Sequence, residues 1–252
     1  MIVLKSSQEI ELMRQAGCIA GKVLHELSQA VRPGITTAKL DNLALRCIRK
    51  NNAEPAFLGY NGFPASICTS VNEELVHGIP GLKRLKSGDI VSIDVGVLYK
   101  GYYGDAAATF PVGKVTSLAA QLIEVTRESL NLAVQKAVPG NRLSDISNAV
   151  QSYVESKGFS VVRSYVGHGI GSNLHEEPQV PNFGLPGKGP LLEAGMVLAI
   201  EPMVSAGTWE VETLDDQWTV VTRDRNLTAH FEHSVAILQD GPEILTSFQG
   251  GN

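Results

Sequence analysis

Residues 89–112 read DIVSIDVGVLYKGYYGDAAATFPV, and this stretch decides the architecture. Asp89 to Val95 is rich in β-branched residues and predicts a strand. A turn-rich segment, Gly96 to Gly104, follows, and a return strand around Asp105 to Val112 completes a hairpin. Two acids interrupt the apolar pattern. Asp94 stands inside IVSIDVGV, and Asp105 opens the return strand. With the turn centred on Tyr99-Lys100, the two lie directly opposite, on one face and with Cβ atoms ~5 Å apart. Carboxylates that close repel unless a proton or a cation lies between them.

Upstream, Ser6-Ser7-Gln8-Glu9 has the form of a helix capping box. Ile10, Met13, Gly17, Ala20, Leu24 and Leu27 then recur at helical spacing, up to the break at Pro33-Gly34. Thr36 or Thr37 caps a second helix that carries Leu40, Leu43, Cys47 and Ile48. Downstream of the hairpin the pattern restarts. Leu118, Leu122, Val125 and Leu132 form a helix ending before Pro139-Gly140, and Ser144 caps another with Ile146, Ala149 and Val154. An offset of 106 residues lays Pro33-Gly34 on Pro139-Gly140, Leu40 on Ile146 and Ile48 on Val154, which predicts an internal duplication. The last third predicts strands at Met196 to Val204, Gln217 to Thr222 and Leu227 to Leu238. Helix pairs segregated from strands give an α+β class with a mainly antiparallel sheet. The expectation is one domain over residues 1–252, with related halves at 7–112 and 117–245.

The composition bounds the function. A net charge of −5 argues against nucleic acid or an anionic membrane as the default partner. No apolar run reaches the ~18 residues of a membrane span, and Met1 to Gln8 has no signal-peptide core. Three scattered cysteines make neither a disulfide framework nor a zinc ribbon, so a reducing, cytoplasmic setting is expected.

The hairpin acids have company. Glu201 lies inside MVLAIEPMV, and Glu232 starts a strand ending SVAIL. A buried, unpaired carboxylate is costly, so each such acid needs a cation, a hydrogen-bond cage or a proton. On a solvated strand face it needs none, and that reading weakens when three apolar strands each carry an acid. His168 and His175 sit in the glycine-rich GHGIGSNLHEEP, and His77 in VHGIPG. A lone loop histidine is otherwise an ordinary turn residue. His230 and His233 flank Glu232, in supporting, core or surface roles, and Cys68 reads as a wall or core residue. Asp94, Asp105, His168, Glu201 and Glu232 make an oxygen-rich donor set. It suits two divalent cations of the manganese, iron, cobalt or zinc kind, and not a closed thiolate site.

At these residues the chain resembles the bacterial type I methionine aminopeptidases. The resemblance rests on LGYNGFPASICTSVNEELVHGIP, the hairpin, YVGHGIGSNLHEEPQVPNFG, AGMVLAIEPMV and DQWTVVTRDRNLTAHFEHSVAI, in family order. It implies a pita-bread fold, a curved sheet covered by two helix pairs with pseudo-two-fold symmetry. It implies metal-dependent removal of the initiator methionine from nascent chains. Asp94 would chelate one metal, Asp105 and Glu232 would bridge, and His168 and Glu201 would bind the other. Glu201 would also take the proton of the attacking water. His77 and His175 would line the site, and Tyr60, Phe63, Cys68, Leu174 and Trp218 would shape the methionine pocket, with Phe57 nearby. A cytoplasmic monomer with transient ribosome association is the accompanying expectation. Gly96, Ala199 and His230 depart from the family's usual threonine or serine, threonine and glutamine, which touches metal tuning and removes no ligand. A related dipeptidase or proline-specific peptidase, or a metal-free binding protein of the same fold, are the other readings.

Overall fold

Ser6 opens the first helix with a complete capping box: the Glu9 N–H donates to Ser6 Oγ at 3.4 Å, and the Ser6 N–H donates to the Glu9 carboxylate at 2.8 Å. Helix α1 spans Ser7–Ala30 and α2 Thr37–Lys50. Then come β1 (Glu54–Pro55), β2 (Cys68–Val71), β3 (Glu74–Val76), and the hairpin of β4 (Ile90–Tyr99) and β5 (Tyr102–Pro111). The second helix pair is α3 (Ser117–Val134) and α4 (Leu143–Ser156). The remaining strands are β6 (Ser160–Val161), β7 (Gly167–Gly169), β8 (Glu176–Val180), β9 (Val197–Ile200), β10 (Met203–Ser205), β11 (Val211–Thr213), β12 (Val220–Thr222), β13 (Thr228–His230), β14 (Glu232–Leu238) and β15 (Gly241–Ile244). The structure, a computed structural model, describes residues 1–247.

The main sheet runs β1-β4-β5-β14-β9-β7-β8, with β2 also on β4 and β15 on β14. Two small sheets, β13-β10-β6 and β11-β12-β3, adjoin it, and every ladder among the described residues is antiparallel. Alternation along the strands sorts the faces. Val91, Ile93, Val95 and Val97 of β4 pack with Ala20, Leu24, Leu40 and Ile48 of α1 and α2. Leu198 and Ile200 of β9 and Val235 and Ile237 of β14 pack with Leu122, Val125, Ile146 and Val150 of α3 and α4. Each such side chain contributes about 1.5–3 kcal/mol by leaving water. The helices therefore cover one face, and the intervening residues, Asp94 and Glu232 among them, point to the other.

The two helix pairs correspond closely. α2 and α4 are each 14 residues long. Their preceding bridges, Thr36 with Arg84 and Arg142 with Leu191, occupy like positions. The Gly34 N–H donates to Leu85 O at 2.7 Å, as the Gly140 N–H does to Leu192 O at 3.0 Å.

The structure corrects the hairpin and one cap. The turn centres on Lys100 (φ 49°) and Gly101 (φ 84°), closed by Tyr99 opposite Tyr102. Both central residues have positive φ, the two-residue turn that matches strand twist, and glycine at the second position favours it there. Asp94 thus lies opposite Ala107 and Asp105 opposite Gly96, a shift of two that keeps both acids on one face. Gly96 and Gly104 belong to strands. A Cβ at Gly104 would lie 2.5 Å from the Gly17 backbone nitrogen, so glycine lets α1 sit directly on β5. α4 starts at Leu143, with the Arg142 N–H held by the Asp145 carboxylate at 2.7 Å; Ser144 Oγ instead accepts from the Lys188 N–H at 2.6 Å.

Candidate metal centre

Strand register alone assembles the site. Cys68 pairs with Asp94, Asp94 with Ala107, and Ala107 with Glu232, so these four form a row across β2, β4, β5 and β14. The chain leaves the main sheet after β9, at Glu201-Pro202, and rejoins it before β14, at Phe231; beyond this break the flanking strands β10 and β13 pair in a small sheet. Ile200 opposite His233 and Met203 opposite His230 bracket the interruption. Carried through the break, the register sets Glu201 across from Glu232. Asp105 stands two residues from Ala107. His168 pairs with Ala199, two residues from Glu201. Directly paired and alternate residues share a face, so all five sequence candidates point to one side.

The polar atoms there lack protein partners. Asp94 Oδ1, Asp105 Oδ1, Glu232 Oε1 and His230 Nε2 are buried without a hydrogen bond. Such groups are costly unless something else satisfies them. Ligand atoms of Asp105, His168 and Glu232 lie within 4.8 Å of one another, as do those of Glu201, His230 and Glu232. Asp94 is outside both triads but lines the same cavity. Burial lifts Asp105 to about 7 and holds Glu232, Glu201 and Asp94 well above the usual carboxylate value; neighbouring carboxylates push the last three further. Burial also lowers His77 and His168 to about 4 and His230 to about 3, leaving neutral rings with a lone pair to offer. His168 Nδ1 faces Gly169 O at 2.9 Å, which directs its bare Nε2 into the cluster, 3.6 Å from Glu201 Oε1. Four carboxylates, neutral imidazole and orphaned oxygens fit a divalent metal.

The cluster floors a cavity of about 250 Å³. That is below the ~300–1,000 Å³ of drug-sized ligand pockets and suits one side chain with its adjoining bond. Phe63 and Trp218 meet edge to face with centroids 5.1 Å apart, and with Leu174 and Cys68 they make an apolar wall. Burial, then the Asp94 charge, holds the Cys68 thiol well above its ordinary pKa, so it stays a neutral wall group. His77 (φ 59°) is held in a left-handed backbone between β3 and Gly78, where a Cβ would lie 2.2 Å from Thr69 O. The His175 ring lies 4.2 Å from that of His168, tilted by 52°, and its Nδ1 is 2.8 Å from the Tyr60 hydroxyl. Every residue that the resemblance places in the site thus lines one cavity. Sequence reasoning missed Val76, Tyr165 and Met203, which also line it. Their residue types carry no signal, although Tyr165 adjoins the glycine-flanked His168. His233 points to the opposite face, its Nδ1 2.8 Å from Thr246 Oγ1. At Gly96, a Cβ would lie 2.4 Å from the Phe57 ring, so phenylalanine occupies the space a larger residue would need.

Residues 11–239 match metallopeptidase family M24. The chain belongs to metallopeptidase family M24. Its M24 relatives include the methionine aminopeptidase of Clostridium acetobutylicum, 60% identical over 98% of this chain and 99% of that one. Methionine aminopeptidase 1 of Bacillus subtilis is 56% identical, again over 98% and 99%. The crystal structure of the Thermotoga maritima methionine aminopeptidase superposes with a TM-score of 0.97 at 49% identity, covering 98% of this chain and all of that one. The M24 assignment agrees with the converged carboxylates and makes this a metal-dependent peptidase with the pita-bread fold. No helix among the described residues is long and apolar enough to cross a membrane.

Proposed function

We propose that the chain is a methionine aminopeptidase, hydrolysing the bond that follows an N-terminal methionine. The observation that carries this is the convergence of Asp94, Asp105, His168, Glu201 and Glu232 in one cavity with an apolar wall. Asp94, Asp105 and Glu232 would hold one divalent ion, and His168 and Glu201, together with Asp105 and Glu232, would hold a second. Bound metal would supply an acidified water and would polarise the scissile carbonyl.

The chain's own groups do the rest. Glu201 takes the water's proton at a carboxylate oxygen. If the Tyr60 O–H donates to His175 Nδ1, the proton of that ring sits on Nε2, which faces the substrate and donates to the carbonyl oxygen as it gains charge. His77 contacts the scissile amide. Phe63, Trp218, Leu174 and Cys68 exclude water around an unbranched thioether, and Tyr60 flanks the mouth. Size alone separates methionine from leucine only modestly, since one methylene is worth ~1–3 kcal/mol.

This proposal includes a cytoplasmic monomer acting on nascent chains with transient ribosome contact, and two halves related by duplication of one helix-pair-and-strands unit. The test compares Met-Ala-Ser, its N-acetylated form and an X-Pro peptide with protein reloaded with manganese or cobalt. Release of methionine from the first alone is expected. Preferential cleavage of the X-Pro peptide would replace this reading with the proline-specific one, and metal binding without any cleavage would point to a binding protein.

A further inference from the structure

We propose that His230 Nε2 is a sixth protein ligand of the metal centre, sharing one ion with Glu201 and Glu232. The inference rests on the metallopeptidase reading above and adds to it a residue that sequence reasoning left among core, surface and supporting roles. His230 is 1% exposed, and its Nε2 has no hydrogen-bond partner. That atom lies 3.5 Å from Glu201 Oε2 and 4.0 Å from Glu232 Oε2. Two ligands each ~2.1 Å from one ion lie ~3 Å apart at a right angle and ~4 Å apart when nearly opposed. Both separations therefore suit one shared cation, and the first is close to a tetrahedral angle.

The backbone that carries the ring is held in place by a buried hydroxyl. The His230 N–H donates to Thr109 Oγ1 at 2.9 Å, and the same hydroxyl donates to His230 O at 2.9 Å. Ser92 Oγ, 2.8 Å away, completes the network around that hydroxyl. Met203 pairs across the strand. His230 precedes Glu232 by two residues, so alternation puts both on one face. Glu201 is then bracketed, with His168 Nε2 3.6 Å from Oε1 and His230 Nε2 on Oε2. A second imidazole shifts the donor set towards zinc, cobalt, iron or nickel and away from manganese, which favours oxygen.

Cobalt(II) is the probe, and the full-length chain the sample. Each cobalt-bound imidazole gives a hyperfine-shifted, solvent-exchangeable proton resonance from its far ring nitrogen. Two such resonances are expected in the wild-type protein, and one in His230→Gln. Calorimetry on stripped protein should show zinc binding weakened about tenfold or more by His230→Gln, with manganese binding changed by less than about threefold. A single wild-type resonance that persists in His230→Gln overturns the proposal while leaving the five-ligand reading intact. A wild-type protein that binds no cobalt overturns both. The wild-type count decides even where a variant folds poorly.

Discussion

At the scale of single residues, metal-holding and charge-stabilising groups fail in different ways. His175 is not in either cluster of converging ligand atoms, and its Nδ1 is engaged by Tyr60. His175→Ala should lower turnover about 10²–10³-fold, the usual cost of losing an oxyanion donor, with metal content unchanged by elemental analysis. Metal lost together with activity would mean that His175 is a ligand. Tyr60→Phe removes the partner that fixes the His175 tautomer. A fall in kcat larger than the rise in KM is expected, because the lost orientation is felt as charge develops. Asp105→Asn should lose bound metal and activity together, since an amide replaces a buried anion in contact with the cluster. Retained stoichiometric metal in that variant would exclude Asp105 as a ligand.

At the scale of elements, the candidate ligands were legible because they break a rule. Asp94 inside IVSIDVGV and Glu201 inside MVLAIEPMV are acids where a strand covered by helices should be apolar throughout, and the eye stops there. What could not be read was which strands adjoin. The row from Cys68 to Glu232 depends on β5 pairing with β14, 120 or more residues away, and no local pattern encodes that. The hairpin register was misread for a local reason. Gly96, Gly101 and Gly104 look alike in sequence, yet only Gly101 serves the turn, and the other two make room for Phe57 and for α1. The role of Gly104 has a measurable consequence. Gly104→Ala would place a methyl 2.5 Å from the Gly17 nitrogen, against helix backbone that has nowhere to go. A loss of about 1–3 kcal/mol or more is expected in urea unfolding. A neutral result would show that α1 slides freely over the sheet.

At the scale of the whole molecule, the fold concentrates anionic groups where burial opposes their charge, and the cost must appear in global stability. In the unfolded chain these four carboxylates titrate near ~4. In the folded, metal-stripped chain Asp105 is lifted to about 7, and Asp94, Glu201 and Glu232 stand well above the ordinary value, burial being the leading cause in each. A folded value above the unfolded one means that the native state retains protons the unfolded state has released. For Asp105 that contribution is full below about pH 4 and is lost as pH rises through about 7, and the other three lose theirs as pH rises through their own raised values. Buried His77, His168, His230 and His233 act oppositely: their lowered values add stability as pH rises from about 4 to ~6.5, above which they are neutral in both states. Above ~6.5 only the carboxylates still differ between the two states, so the stripped protein should melt at a lower temperature at pH 8 than at pH 6.5. A divalent ion supplies the missing positive charge, so saturating cobalt or manganese should flatten this slope. It should also stabilise by about 4 kcal/mol when free metal exceeds Kd a thousandfold. Scanning calorimetry at the two pH values, with chelator and with metal, reads both effects. A stripped protein that gains stability from pH 6.5 to 8 and ignores added metal would mean that these carboxylates are hydrated or paired, and the physical case for a metal centre would fail with them.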